Sequence, residues 1–224
     1  KGYYFDNKKG LGQHFFNMQK ISLDEIKKRN SILILENKVF SFRHGETTIA
    51  NYYSETFFSF FSNLEEMNKK KVLYKSFPEK YSLILNKLWK LKFRKKIKFS
   101  PIFSNATNEN YYNAKLVIID SVSTSLYELL YLRMPFIMIL NPNNSLFLKT
   151  SFRRKLIKLK KINLLFEDPK KASHFVNSLI KDNQLEKWWN KTSKTKIFLN
   201  LKNYLLIERK NYLTMIVKDI INLK

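Results

Sequence analysis

The sequence predicts an α/β fold organised around a doubly wound parallel sheet. Short, continuous apolar runs alternate with segments of helical period about five times along the 224-residue chain. Residues 114–140 read as strand, Ser/Thr turn, helix and strand, the pattern of a crossover between parallel neighbours. Length and a 44% apolar content suit one domain or two small ones.

Residues 1–30 are expected to be irregular, with one short amphipathic piece and Gly2, Gly10 and Gly12 as punctuation. SILILE at 31–36 is a buried strand, followed by a turn over FRHGE at 42–46. From Thr47 to about Glu66, Ile49, Tyr52, Tyr53, Phe57, Phe60 and Phe61 recur at helical spacing. KVLYKSF at 71–77 is a second strand closed by Pro78, and 79–93 returns to helical period. A short strand is expected at 96–100 and a short helix at 107–114. LVIID at 116–120 is a strand ending in an acid, 126–134 a helix, and PFIMIL at 135–140 the next strand. A basic helix at 147–159, a short strand at 163–166 and a helix at 169–181 started by Asp168 complete the sheet domain. The expected organisation is an irregular N-terminal segment (1–30), the sheet domain (31–183), and helices packing on it (184–224).

Composition excludes several classes. The 42 basic and 18 acidic residues leave a net charge of +24, yet a 15% aromatic content is too apolar for a disordered polycation. Four Gly and five Pro exclude a collagenous or loop-dominated chain, and the absence of Cys excludes disulfides and thiolate metal sites. No apolar run approaches the roughly 20 residues that cross a bilayer, and no signal peptide is visible. Seven of the basic residues are Arg and the rest Lys, beside abundant Asn, Ile, Phe and Tyr, the usage of an AT-rich coding sequence. Arg supplies the bidentate forks of nucleic-acid recognition, so this charge reads as a Lys-rich solvated surface and no nucleic-acid partner is expected. Attraction to anionic lipid headgroups, giving peripheral contact with the inner face of the cell membrane, is a further expectation for that surface.

Chemistry is expected where the run at 116–120 gives way to the next helix. Ser121, Ser123, Thr124 and Ser125 offer hydroxyls beside a helix N-terminus, whose open amides favour an anion such as a nucleotide's diphosphate. Glu128, one turn on, can accept from ribose hydroxyls. The same residues also match S-x-x-E, from Ser125 to Glu128, a capping box satisfying the helix's own amides. Locally the two readings stand side by side. No glycine lies in the turn, so no Gly-rich phosphate cradle is present. There is no D-x-D, His14, His44 and His174 are scattered, and no metal site or cofactor is expected. His44 reads as a solvated turn residue, His174 as a partly exposed helix residue, and Trp188-Trp189 as a packing anchor. Arg153-Arg154 reads as surface.

Three stretches, AKLVIIDSVSTSLYELLYLRMPFIMILNPN (114–143), INLLFEDPKKASHFVNSL (162–179) and EKWWN (186–190), resemble a transferase family of bacterial surface-carbohydrate biosynthesis. The resemblance implies a glycosyltransferase of the two-Rossmann-domain (GT-B) type, independent of metal, with this chain as its Rossmann-like, C-terminal donor-binding half. It implies a nucleotide-sugar donor, a glycan or lipid-linked acceptor and a cytoplasmic location. By position it makes Ser123, Thr124 and Ser125 donor-phosphate contacts and Glu128 a ribose contact, with Asp120-Ser121 shaping the turn. Arg43, His44, Lys75 and Ser121 would face the donor. A two-domain transferase needs a second Rossmann half, so the chain, which begins at Lys1, is expected to be a fragment that binds donor but turns over poorly. The catalytic base would lie in that other half, and none is assigned here. CDP-glycerol polyol-phosphate transferases carry a related turn, so polyol-phosphate transfer is the alternative chemistry. A basic nucleic-acid-binding module is the alternative of another class.

Overall fold

Among the described residues, six strands, all parallel, form one sheet in the order β3-β2-β1-β4-β5-β6. The computed structural model describes residues 21–36, 47–76, 80–93, 96–101, 107–140 and 148–206. Along the chain come α1 (Leu23–Lys27), β1 (Ser31–Leu35), α2 (Thr47–Ser62), α3 (Glu66–Lys69), β2 (Val72–Lys75), α4 (Lys80–Phe93), β3 (Lys98–Phe99) and α5 (Thr107–Asn113). Then follow β4 (Ala114–Ile119), α6 (Thr124–Leu132), β5 (Phe136–Ile139), α7 (Thr150–Lys158), β6 (Leu165–Phe166), α8 (Pro169–Lys181), α9 (Leu185–Thr192) and α10 (Lys196–Leu205). From β1 the chain winds outward to β2 and β3, then crosses back to β4 and winds the other way to β5 and β6.

The runs are continuous rather than alternating because both faces of the sheet are covered. Leu33, Leu35, Val117, Ile119, Phe136 and Met138 pack on one face with Tyr111, Leu126, Leu156 and Leu201. Ile32, Ile34, Leu116, Ile118, Ile137 and Ile139 pack on the other with Phe57, Phe60, Trp89 and Val176. Trp89 anchors that second core, with ring centroids 4.6 Å from Phe58 and 4.6 Å from Tyr74. Asn177 of α8 joins the two sides of this layer, its Oδ1 accepting from the Glu65 amide at 3.1 Å and its Nδ2 donating to the Asn63 carbonyl at 3.2 Å.

Both ends of the described chain join the core of the sheet. Residues 23–27 are a helix with a reciprocal Ser22–Glu25 capping box, and Ile21 and Ile26 are buried in the same core as β1 and β4. The described end of the N-terminal segment therefore belongs to the sheet domain. Trp189, Phe198, Leu201 and Leu205 enter that core too, so α9 and α10 are part of one hydrophobic unit with the sheet. The tandem tryptophans act as the packing anchor expected of them. Trp189 Nε1 donates to the Arg133 carbonyl at 2.9 Å, while Trp188 meets Phe175 edge to face.

Candidate functional site

The sheet reverses its winding between β1 and β4, and the crevice past the carboxyl ends of these two strands is where ligands of doubly wound sheets bind. Leu35 is in register with Ile119, so Glu36 and Asp120 follow their strands side by side at this edge. Both are buried, at 5% and 2% exposure. Pleat alternation puts them on the face of Ile34 and Ile118, the side packed by α2, α4 and α8. Tyr74 of β2 lies on the same face. Its hydroxyl donates to Glu36, and burial first, then the charges of Glu36 and Asp120, push its pKa well up. Ser76, at 1% exposure, follows β2 on that face with no hydrogen-bond partner for its Oγ among the described residues.

The turn from β4 to α6 holds the expected hydroxyls. Ser121, Val122 and Ser123 are half-buried, and Thr124 is exposed as the first residue of α6. Ser123, not Ser125, is the N-cap, and its extended backbone (φ −134°) directs the chain into the helix. Its side chain makes no hydrogen bond to the helix's own amides. The capping box from Ser125 to Glu128 is not formed, which corrects that reading. It fails because Ser125 already lies inside the first turn, buried at 8% exposure, where no capping side chain can sit.

Instead, Ser125 and Glu128 converge on Tyr111 of α5. The Tyr111 hydroxyl donates to Glu128 Oε2 at 2.7 Å and also bonds the Ser125 hydroxyl. The tyrosine is fully buried, and that burial, followed by the Glu128 charge, drives its pKa well above the ordinary phenol range. It is therefore a fixed donor that holds the half-buried Glu128 carboxylate by one oxygen.

Lys75 is placed differently from the other candidates. At 3% exposure it ends β2, two strands from β4, and its ε-ammonium donates to the Pro101 carbonyl while burial lowers its pKa. The structure thus brings together Ser121, Ser123, Thr124, Ser125 and Glu128, and sets Lys75 apart; Arg43 and His44 lie outside the described residues. Arg153 is half-buried and Arg154 exposed on α7. Among the described residues, no three His, Cys, Asp or Glu side chains are grouped to hold a metal ion, and no helix is long and apolar enough to cross a membrane.

Glu36, Tyr74, Ser76 and Tyr111 of this edge were not among the sequence candidates. Glu36 carried the signal that singled out Asp120, an acid closing a buried apolar run. Ser76 and Tyr111 carried none, since only the strand order and the docking of α5 bring them here.

The sheet order, the two-sided core and the reversal at β1 and β4 define a Rossmann-like α/β protein. The chain belongs to the LIC12162 family transferases, whose model matches residues 13–220. Among solved structures, it is similar to MurG of Acinetobacter baumannii at 12% identity and a TM-score of 0.51, covering 81% of this chain and 52% of that one. It is also similar to WaaG, a glycosyltransferase involved in lipopolysaccharide biosynthesis, at 14% identity and a TM-score of 0.43, covering 81% of this chain and 47% of WaaG. The chain spans about half the length of the solved structures it matches. No curated protein matches it.

Proposed function

We propose that this chain is the donor-binding half of a glycosyltransferase of the GT-B type. The observation that carries the reading is the start of α6 at the winding reversal: a helix N-terminus whose amides receive no capping hydrogen bond from the N-cap side chain. Such amides and the helix dipole favour an anion. In this reading Ser123 and Thr124 contact the donor's diphosphate, and Glu128, held by Tyr111, turns its carboxylate toward the ribose. Ser125 serves as the buried support of that carboxylate. Membership of a transferase family supports group transfer, and the likeness to MurG supports the fold.

The reaction breaks the bond between the donor's anomeric carbon and its phosphate oxygen and forms one from that carbon to an acceptor hydroxyl oxygen. The nucleotide leaves with the electron pair, and the acceptor's proton passes to a base on the other half of the transferase. Donors preorganised where that negative charge gathers are each worth about 3 kcal/mol. The lack of D-x-D in the sequence is the ground for reading the transfer as metal-independent. A glycan or lipid-linked acceptor, met at the inner face of a membrane, completes the proposal.

The test is a thermal-shift screen with CMP, CDP, UDP, GDP and ADP. A ligand at about 100 times its Kd stabilises by about 2.7 kcal/mol, or roughly 5–10 °C in a chain this size. Thr124→Ala, at an exposed position, should fold normally and bind the stabilising nucleotide about tenfold more weakly, as expected for losing a hydrogen bond to a charged group. Equal stabilisation of the variant rules out the phosphate role. Selective response to cytidine nucleotides redirects the reading to polyol-phosphate transfer. Salt-sensitive binding of nucleic acid in place of nucleotide overturns it.

A further inference from the structure

The second core leaves α4 with apolar residues on both sides. Asn86 and Trp89 face inward and are buried, but Leu83, Leu88 and Leu91 point outward at 44%, 43% and 76% exposure. A helix apolar on its outer side as well is normally covered by something. Met67 of α3 is also exposed, at 72%. Lys96 bonds Glu66 at 3.3 Å, and a hollow of about 230 Å³ lined by Ser62, Lys69, Lys92, Phe93 and Lys96 joins the two helices.

Charge says what covers this face. Residues 67–98 contain eleven Lys and one Arg against a single Glu. The Lys90 amine lies 5.3 Å from the Phe99 ring and the Lys92 amine 4.8 Å from the Phe58 ring, their stems laid along apolar surface on either side of the leucine ridge. An apolar ridge flanked by ammonium groups is the pattern of a helix lying in a lipid interface. Nucleic acid would use the charges and leave the leucines idle. A second copy would set two strongly positive faces against each other.

We propose that the outward face of α4 docks the protein on an anionic lipid bilayer. Leu88 and Leu91 enter the acyl boundary, and Lys87, Lys90, Lys92 and Lys96 meet the headgroup phosphates. The inference gives a location to the membrane contact of the preceding reading. Vesicle binding needs neither donor nor acceptor, so the two fail independently.

The test is co-sedimentation of the chain with vesicles of phosphatidylcholine, alone or mixed with phosphatidylglycerol. The chain should bind the mixed vesicles, and less well as salt rises. Leu88→Ser with Leu91→Ser leaves the net charge unchanged and should weaken partitioning by at least about tenfold, as burial of two leucines requires. Lys87→Gln and Lys90→Gln should each weaken it roughly fivefold. Leu199→Ser, at a 43% exposed position of α10 on the opposite face, should change nothing. The proposal is overturned if the wild-type chain ignores mixed vesicles, or if the double leucine variant binds as well as wild type. It is equally overturned if Leu199→Ser loses as much, or if the leucine variants dissolve a dimer instead of a lipid contact.

Discussion

Tyr111→Phe isolates the hydrogen bond that holds the candidate ribose-binding carboxylate. The phenyl ring fills the same buried space, so the change removes only a hydroxyl that donates to Glu128 Oε2 at 2.7 Å and bonds Ser125. A hydrogen bond to a charged group contributes about 1.5–3 kcal/mol. Glu128 is half-buried, so water can replace part of what is lost, which puts the cost near the lower end, about 1.5 kcal/mol. For a chain of this size that is a fall in Tm of about 3–6 °C. Urea unfolding should show a lower midpoint with an unchanged slope, because the surface exposed on unfolding is the same. Nucleotide affinity should fall severalfold as well, since a carboxylate without its anchor samples other rotamers. The sharper measurement is a double-mutant cycle with Glu128→Gln. Two residues in direct contact should couple by about 0.5 kcal/mol or more, whereas independent sites add within about 0.3–0.5 kcal/mol. Additive stabilities, together with unaltered nucleotide binding, refute the argument that Tyr111 positions Glu128.

Arg133 closes α6 in the left-handed region at φ 57°, with an exposed side chain. Arg133→Gly should therefore stabilise the chain by about 0.5–1 kcal/mol, read by thermal or urea unfolding, because glycine adopts that conformation without a Cβ penalty. Alkaline stability should report the two buried phenols. Tyr74 and Tyr111 both have raised pKa values, chiefly from burial. Below pH about 10 their contribution is complete. Above it the unfolded chain releases protons that the folded chain keeps, and stability falls by about 1.4 kcal/mol per pH unit for each phenol until the folded groups ionise. Lys75, its pKa lowered by burial, acts in the opposite sense, adding stability as pH rises from its folded value toward about 10.4. Urea titrations at stepped alkaline pH should show a shallower decline for Tyr74→Phe and Tyr111→Phe than for the wild-type chain.

Much of the edge was legible because single segments encode it. LVIID followed by a Ser/Thr turn and an apolar helix can pack in few ways other than as a buried strand feeding a crossover helix, and β4 and α6 form within a residue or two of that reading. Ser125 and Glu128 illustrate the opposite case. Their spacing fits a capping box, and the deciding fact is that α6 starts at Thr124, which sends Ser125 inward to Tyr111. Lys75 is legible in the sequence only as a lysine at a strand end; the carbonyl of Pro101 that its ammonium reaches, just past β3, is set by the pairing of β3 with β2.

Periodicity and apolar run length, which are local properties of the backbone's two repeat geometries, were enough to specify an α/β chain with parallel strands buried on both faces. Tertiary structure alone decided the strand order, the meeting of Glu36 and Asp120 with Tyr74, and the seat of Glu128 on Tyr111. Those depend on which strands and helices become neighbours, and neighbours across a sheet are chosen by the packing of the whole core rather than by any one segment.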